Sequence, residues 1–217
     1  MAVEGGAGGV VWDEAAGSRV KVVVVGDGAV GKTSLLVSYI MDRFPAEHVP
    51  TVFANYAKET MVLGEHIHMW LCDTAGQEEY DRLRVMAYPD TGVFLVCFSI
   101  TDPSSFHSVA DKWYPEVHFH CPSAPCLLVA TKLDLRSSEM EKSRLAKDGL
   151  QIISLEQGQQ LAERLGMQGY MECSALTQEG LSEVFEFAAR LALSSEATSQ
   201  RTQKSSSGFS FRRCRML

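Results

Sequence analysis

Gly26-Asp27-Gly28-Ala29-Val30-Gly31-Lys32-Thr33 is the stretch whose reading decides the fold. Its spacing, G-x-x-x-x-G-K-T, is that of a phosphate-binding loop. The residues before it, Val20-Lys21-Val22-Val23-Val24-Val25, are mostly β-branched and predict a buried strand. After it, Leu35, Leu36, Tyr39 and Ile40 recur at helical spacing and predict a helix over 31–41. Strand, glycine-rich turn and helix form the setting in which this motif carries chemistry. Glycines let backbone N–H groups turn inward around phosphate oxygens, at the positive end of a helix dipole. Gly26, Asp27, Gly28, Ala29, Val30, Gly31 and the following Ser34 are therefore expected to cradle phosphate. Lys32 is expected to reach the β- and γ-phosphates, and the Thr33 hydroxyl to ligate Mg²⁺.

Working outward, apolar runs alternate with helical patterns from residue 20 to about 193. Candidate strands are 20–25, 56–63, 66–72, 93–100, 127–131 and 170–173, with candidate helices over 31–41, 103–119, 155–165 and 179–193. Leu181, Val184, Phe185, Ala188 and Leu191 give the last helix one apolar face. Gly64 marks a hairpin turn inside 56–72. This pattern predicts an α/β fold of the P-loop NTPase type: a six-stranded, mostly parallel sheet with helices on both faces. Ligands bind at the carboxyl ends of such strands, where the glycine loop lies.

The 217 residues suit one domain with tails, and 46% hydrophobic residues can build its core. A net charge of −7 argues against nucleic acid as a partner. The six cysteines, Cys72, Cys97, Cys121, Cys126, Cys173 and Cys214, show no C-x-x-C pair. All but Cys214 read as reduced core thiols. No apolar run is long enough to span a membrane. Residues 1–18 are Gly/Ala-rich and acidic, without a basic leader, and read as a disordered extension rather than a targeting peptide. Residues 194–217 read as a flexible tail, leaving 19–193 as the folded domain.

Two further motifs fall at strand ends. Asp73-Thr74-Ala75-Gly76-Gln77-Glu78 follows the third strand. A carboxylate there can hold Mg²⁺ directly or through water; the Gly76 N–H can approach a γ-phosphate; Gln77 can orient an attacking water. Thr131-Lys132-Leu133-Asp134 follows the fifth strand. The Asp134 carboxylate can accept from both N1–H and N2–H₂ of guanine, an arrangement adenine does not offer. The Lys132 stem can cover the face of the base while its ammonium stays wet. Cys173-Ser174-Ala175 ends the sixth strand, where the Ala175 N–H could donate to guanine O6.

GDGAVGKT, PTVF, DTAGQE, YDRLR, TKLDL and ECSAL, in this order, resemble a Ras-superfamily small GTPase. Trp113-Tyr114-Pro115-Glu116-Val117 and the extra stretch Arg136–Leu150 resemble the Rho family, with Rac-type members the nearest likeness and 136–150 its insert helix. The resemblance implies a Mg²⁺-dependent GTPase that switches between GTP and GDP, signalling to the actin cytoskeleton or membrane traffic. It implies that Thr51 of switch I ligates Mg²⁺ and touches the γ-phosphate in the GTP state. Phe44 would pack on the guanine, and Thr131, Lys132, Asp134, Ser174, Ala175 and Leu176 would surround it. Gln77, Lys32, Thr51 and Gly76 would carry hydrolysis. Gly28 and Gln77 are both intact, and no arginine in switch I substitutes for one supplied by an activating protein. Implied partners are effectors at switches I and II, exchange factors, activating proteins and a prenyl-binding dissociation inhibitor, with the protein a monomer.

Three residues depart from the resemblance. His48 stands in place of a tyrosine, Ala54 in place of an acidic residue that effectors meet, and Cys72 in place of a tryptophan, with Trp70 two residues earlier. His48 reads as an ordinary exposed histidine or as a pH-sensitive lid. Cys214-Arg215-Met216-Leu217 reads as a geranylgeranylation signal, imperfect because Arg215 is not aliphatic. Arg212, Arg213, Phe209 and Phe211 would add slight membrane affinity. The expected location is the cytosol and the cytoplasmic face of membranes. A constitutively GTP-bound interaction module with negligible turnover is the alternative that the altered switch residues leave open. A small-substrate kinase is opposed by TKLD and DTAGQ.

Overall fold

Six strands form one sheet: β1 Ser18–Val25, β2 Phe53–Val62, β3 Glu65–Thr74, β4 Val93–Ser99, β5 Cys126–Thr131 and β6 Gly169–Glu172. The computed structural model describes residues 17–45 and 52–206, the stretch 196–206 by its backbone. The strand order is β2-β3-β1-β4-β5-β6. Every neighbouring pair is parallel except β2 and β3. Those two join through Leu63 (φ 54°) and Gly64 (φ 82°), between the paired residues Val62 and Glu65. Two consecutive positive φ values give the primed turn whose twist matches a two-residue hairpin.

Helices cover both faces: α1 Lys32–Met41, α2 Asp81–Val85, α3 Pro103–Ser108, α4 Tyr114–His120, α5 Glu139–Lys147, α6 Leu155–Leu165 and α7 Leu181–Ser206. Successive side chains of a strand point to opposite faces, so β1 feeds two cores. Val20, Val22 and Val24 pack with Leu35, Leu36, Phe185 and Ala188 under α1 and α7. Val23 and Val25 pack with Phe94, Phe98, Trp113, Val117 and Leu161 on the opposite face. Each such side chain contributes roughly 1.5–3 kcal/mol of burial. Tyr39 and Phe185 stack with ring centroids 3.9 Å apart, fixing α1 to α7.

The predicted α/β architecture is the observed one, and the differences are local. β1 begins at Ser18, inside the stretch expected to be disordered, and pairs it with Ile67. The helix expected over 103–119 contains a π turn, Val109–Trp113. Pro115 follows in the first turn of α4 and has no N–H to give, which favours the wider spacing. α2 is new, being too short to show a helical period. α7 corrects the tail, which was expected to be flexible from residue 194. The helix runs to Ser206, and 194–206, though Ser/Thr-rich, holds neither Gly nor Pro to end it. The stretch 136–150 contains a helix, α5 (Glu139–Lys147), capped by Ser138, whose side chain accepts from the Glu141 N–H. Arg144 ties it to the Thr101 carbonyl at 2.9 Å.

Cys72, Cys97, Cys126 and Cys173 are buried and Cys121 partly so. Burial pushes the Cys72 thiol up to about 11 and Cys126 and Cys173 up to about 12, which keeps them protonated. Cys72 thus faces the core, whereas Trp70 is exposed. His48, Thr51 and Cys214 lie outside the described residues, as do Phe209, Phe211, Arg212 and Arg213.

Candidate functional site

The glycine loop leaves β1 under tight steric control. Gly26 has φ 145°, and a Cβ there would sit 2.2 Å from the Cys97 carbonyl oxygen, so no other residue fits. At Gly31, φ is 102°. Three side chains hold the loop by its backbone carbonyls. Lys32 curls back beneath it, its Nζ donating to the Gly26 and Asp27 carbonyls at 2.7 Å each. Thr131 Oγ1, at the end of β5, donates its one proton to the Val30 carbonyl at 2.6 Å and lies 3.0 Å from Phe98 O. Lys132, in left-handed conformation, donates from Nζ to the Ala29 carbonyl at 2.9 Å. Burial lowers the Lys32 pKa, while Cys97, Asp73 and Asp27 act in the opposite direction. A polyphosphate in the loop would add negative charge beside the ammonium and favour its charged form.

The loop after β3 lies directly on the glycine loop. A Cβ on Gly76 would fall 2.4 Å from the Gly26 carbonyl oxygen and 2.5 Å from Gly28 N. Thr74 Oγ1 donates to Val24 O at 2.6 Å and fixes its approach. A Cβ on Gly28, by contrast, would meet nothing within 4 Å. Gly28 faces open space where the cleft lies.

Two clefts meet there. One of about 220 Å³ is lined by Gly28, Ala29, Gly31, Lys32, Thr33, Ser34 and Thr74 to Gln77. The other, about 160 Å³, is lined by Gly31, Ser34, Leu35, Phe44, Thr131, Lys132, Asp134, Leu135, Ala175 and Leu176. They share Gly31 and Ser34. The first is rich in amides and hydroxyls, and the second is a slot between aliphatic and aromatic walls. At its edge Asp134 Oδ1 accepts from Ser174 Oγ at 2.5 Å. Ser174 Oγ in turn accepts from the Thr177 N–H at 3.1 Å, and the Leu133 N–H donates to Cys173 O at 3.1 Å. The β5 and β6 loops are thus locked together, with one carboxylate in the lining of the slot.

Of the residues expected to act, the structure brings together the glycine loop, Lys32, Thr33, Ser34, Gly76 and Gln77 around one cleft, and Phe44, Thr131, Lys132, Asp134, Ala175 and Leu176 around the other. Val30 and Ser174 are buried behind the walls. Asp73 is buried at the end of β3, and Asp27 is turned aside to Trp113 Nε1 at 2.6 Å. Leu35, Leu135, Thr74 and Ala75 also line the clefts. The last two were visible inside DTAGQE and Leu135 inside TKLDL, whereas Leu35 read only as part of the apolar face of a helix.

The donor set fits Mg²⁺. Thr33 and Asp73 offer a hydroxyl and a carboxylate, both hard oxygen ligands. Among the described residues no cluster of three or more His, Cys, Asp or Glu is placed to hold a metal. Mg²⁺ suits such a site because it binds through one or two protein oxygens together with substrate phosphates and water.

Parallel sheet, glycine loop, apolar base slot and paired strand-end loops define a P-loop nucleotide-binding protein. The Ras family model matches residues 21–194, most of the chain, and the chain belongs to the Ras family of small GTPases. Members of that family are in general GTP-binding and GTP-hydrolysing switches that work with Mg²⁺ and meet effectors, exchange factors and activating proteins.

Proposed function

We propose that this chain is a Rho-type, prenylated GTP switch acting at the cytoplasmic face of membranes. The observation that carries the GTP reading is the union of two clefts at Gly31 and Ser34, with Asp134 at one end and Gln77 at the other. A purine in the slot places its triphosphate along the glycine loop. Asp134 then reads guanine, with Phe44 and the Lys132 stem on its faces and Ala175 N–H and Leu176 at its edge. Lys32 holds the β- and γ-phosphates with the N–H groups of the loop. Thr33, Asp73 and Thr51 would hold Mg²⁺, which when bound neutralises charge on the β- and γ-oxygens. Gln77 stands in extended conformation (φ −73°, ψ 147°), exposed at the cleft mouth, and orients the water that attacks the γ-phosphorus in line. The Gly76 N–H and Thr51 sense the γ-phosphate, and its loss releases both loops. The Rho-type reading rests on Trp113–Val117 and on the helix α5 inside 136–150.

Partner choice should differ from that of Rac-type proteins. Ala54 pairs with Asp73 across β2 and β3, next to the strand end that leads into Thr74 to Gln77, and carries no carboxylate. Loss of one member of a desolvated charge pair typically costs about 2–5 kcal/mol. GTP-loaded protein should therefore bind Rac-type effector domains weakly, and Ala54→Asp should restore binding. Isothermal titration decides, and tight binding by the unaltered protein would refute this reading. The exposed Trp70, its face 5.3 Å from the Lys21 ammonium, adds a feature that exchange factors would meet.

Membrane residence should depend on Cys214. One prenyl chain contributes about 0.8 kcal/mol per buried CH₂ and anchors reversibly. Arg212 and Arg213 each add about 1 kcal/mol near an anionic surface. Cys214→Ser is expected to move the protein wholly to the soluble fraction, and Arg212→Gln with Arg213→Gln to move a large share. Fractionation of cells expressing each variant is the test; a Cys214→Ser protein still on membranes contradicts lipid anchoring.

A further inference from the structure

One indole joins the two loops that face each other across the phosphate cleft. Trp113 is fully buried at the end of the π turn. Its Nε1 donates to Asp27 Oδ1 of the glycine loop at 2.6 Å, across 86 residues of sequence. The face of the same ring lies 4.6 Å from the Arg84 guanidinium. Arg84, itself 1% exposed, donates from Nη1 to the Ala75 carbonyl at 2.9 Å, one residue before Gly76. Its remaining donors go to both Glu116 oxygens at 2.9 Å and to Asp81 at 2.6 Å. Tyr88 OH donates to Glu116 Oε1 at 2.5 Å. Burial pushes Glu116 up, yet the bonds from Arg84 and Tyr88 outweigh it and hold the carboxyl below its ordinary range, so it stays ionised against Arg84.

A continuous line of contacts thus runs from Asp27 through Trp113 and Arg84 to Ala75. It returns to its start where Gly76 lies against Gly26 and Gly28. Packing alone would not need it. A buried ion cluster is often no more stabilising than apolar side chains of the same volume. Its distinct property is geometric, because it ends on the backbone that carries Gly76 and Gln77. We propose that Trp113 is a positioning residue for hydrolysis. Through Asp27 and Arg84 it fixes the separation of the glycine loop from the Ala75–Gly76 loop, and so the place of Gln77 over the γ-phosphate. Trp113 touches no substrate, so its effect falls on the rate and not on nucleotide affinity. This inference rests on the GTPase reading above.

Two variants test it in the full chain. Trp113→Phe keeps an aromatic face for Arg84 and deletes only the N–H donor and one ring. Glu116→Gln keeps the shape and weakens the hold on Arg84 without touching Trp113. Each should slow single-turnover GTP hydrolysis about 10-fold while leaving GTP affinity unchanged. The double variant should be no slower than the slower single, because both act on one line of contacts. Amide hydrogen exchange supplies a readout independent of turnover: Glu116→Gln should raise exchange at 27–31 as well as at 75–77. Wild-type hydrolysis by Trp113→Phe overturns the proposal. So does a Glu116→Gln effect confined to 75–77, since the indole would then transmit nothing. If Trp113→Phe fails to fold, the Glu116→Gln exchange pattern decides. If the unaltered protein releases no phosphate, the GTPase reading fails, and exchange alone judges the coupling.

Discussion

Asp134→Asn is expected to lose most of its affinity for GTP and to gain affinity for xanthosine triphosphate. Asp134 lines the slot, and its carboxylate is held by Ser174 Oγ at 2.5 Å. It can accept from guanine N1–H and from N2–H₂ together. Hydrogen bonds to a charged partner contribute about 1.5–3 kcal/mol each, and one lost in a buried site also leaves a donor without an acceptor. An asparagine at 134 presents an amide N–H to a guanine N–H, so the contact turns repulsive. Affinity for GTP should fall by roughly 10²–10⁴-fold. Xanthine carries a carbonyl at C2, which accepts from that amide. Competition binding with GTP, xanthosine triphosphate and ATP measures the change. Wild-type GTP affinity in the variant would remove Asp134 from base recognition.

Gln77→Leu should arrest hydrolysis while GTP binding stays intact. Gln77 is exposed at the cleft mouth, and its side chain makes no capping bond to the 3₁₀ turn Glu78–Tyr80 that follows. Its loss therefore leaves the local backbone supported. Leucine has similar volume but no group to hold a water in line with the γ-phosphorus. Misplacing a reactant by about 1 Å can cost on the order of 10²-fold in rate, so at least that loss is expected. The contrast with Lys32→Ala is informative. Lys32 bonds Gly26 and Asp27 in the loop itself and would contact phosphate before and during reaction, so its loss should weaken binding. Equal single-turnover rates for wild type and Gln77→Leu would show that another group orients the water.

The parts of the fold that a single sequence reveals are those whose period exceeds their noise. β4 and β5 are near-continuous apolar runs, and β1 is one from Val22 to Val25, because both faces of a parallel strand are covered. The glycine loop was legible because Gly26 admits no side chain. α2 has only five residues, less than two helical turns, and gives no period to detect. The π turn depends on how Pro115 meets the helix before it, a conflict that propensity alone does not resolve. α7 passes residue 193 because an apolar stripe is needed to anchor a helix to a core, not to prolong one. Within the site, strand-end residues such as Asp134 and Gln77 could be named from motifs. The Asp27–Trp113 bond could not, since nothing in either segment points to a partner 86 residues away. Leu35 was hidden for the opposite reason: an apolar residue lining a base slot looks like any core residue.

Single-turnover phosphate release is the most direct test of the GTP switch. Purified full-length protein, stripped of nucleotide and reloaded with GTP and Mg²⁺, should release one phosphate per bound GTP, slowly. An activating protein that supplies an arginine should accelerate it by several orders of magnitude, as the roughly 10⁵-fold gain known for Ras itself suggests. The same protein should neither bind nor hydrolyse ATP comparably. GTP that remains intact through many hours with an activating protein present, or equal turnover of ATP, would contradict the account.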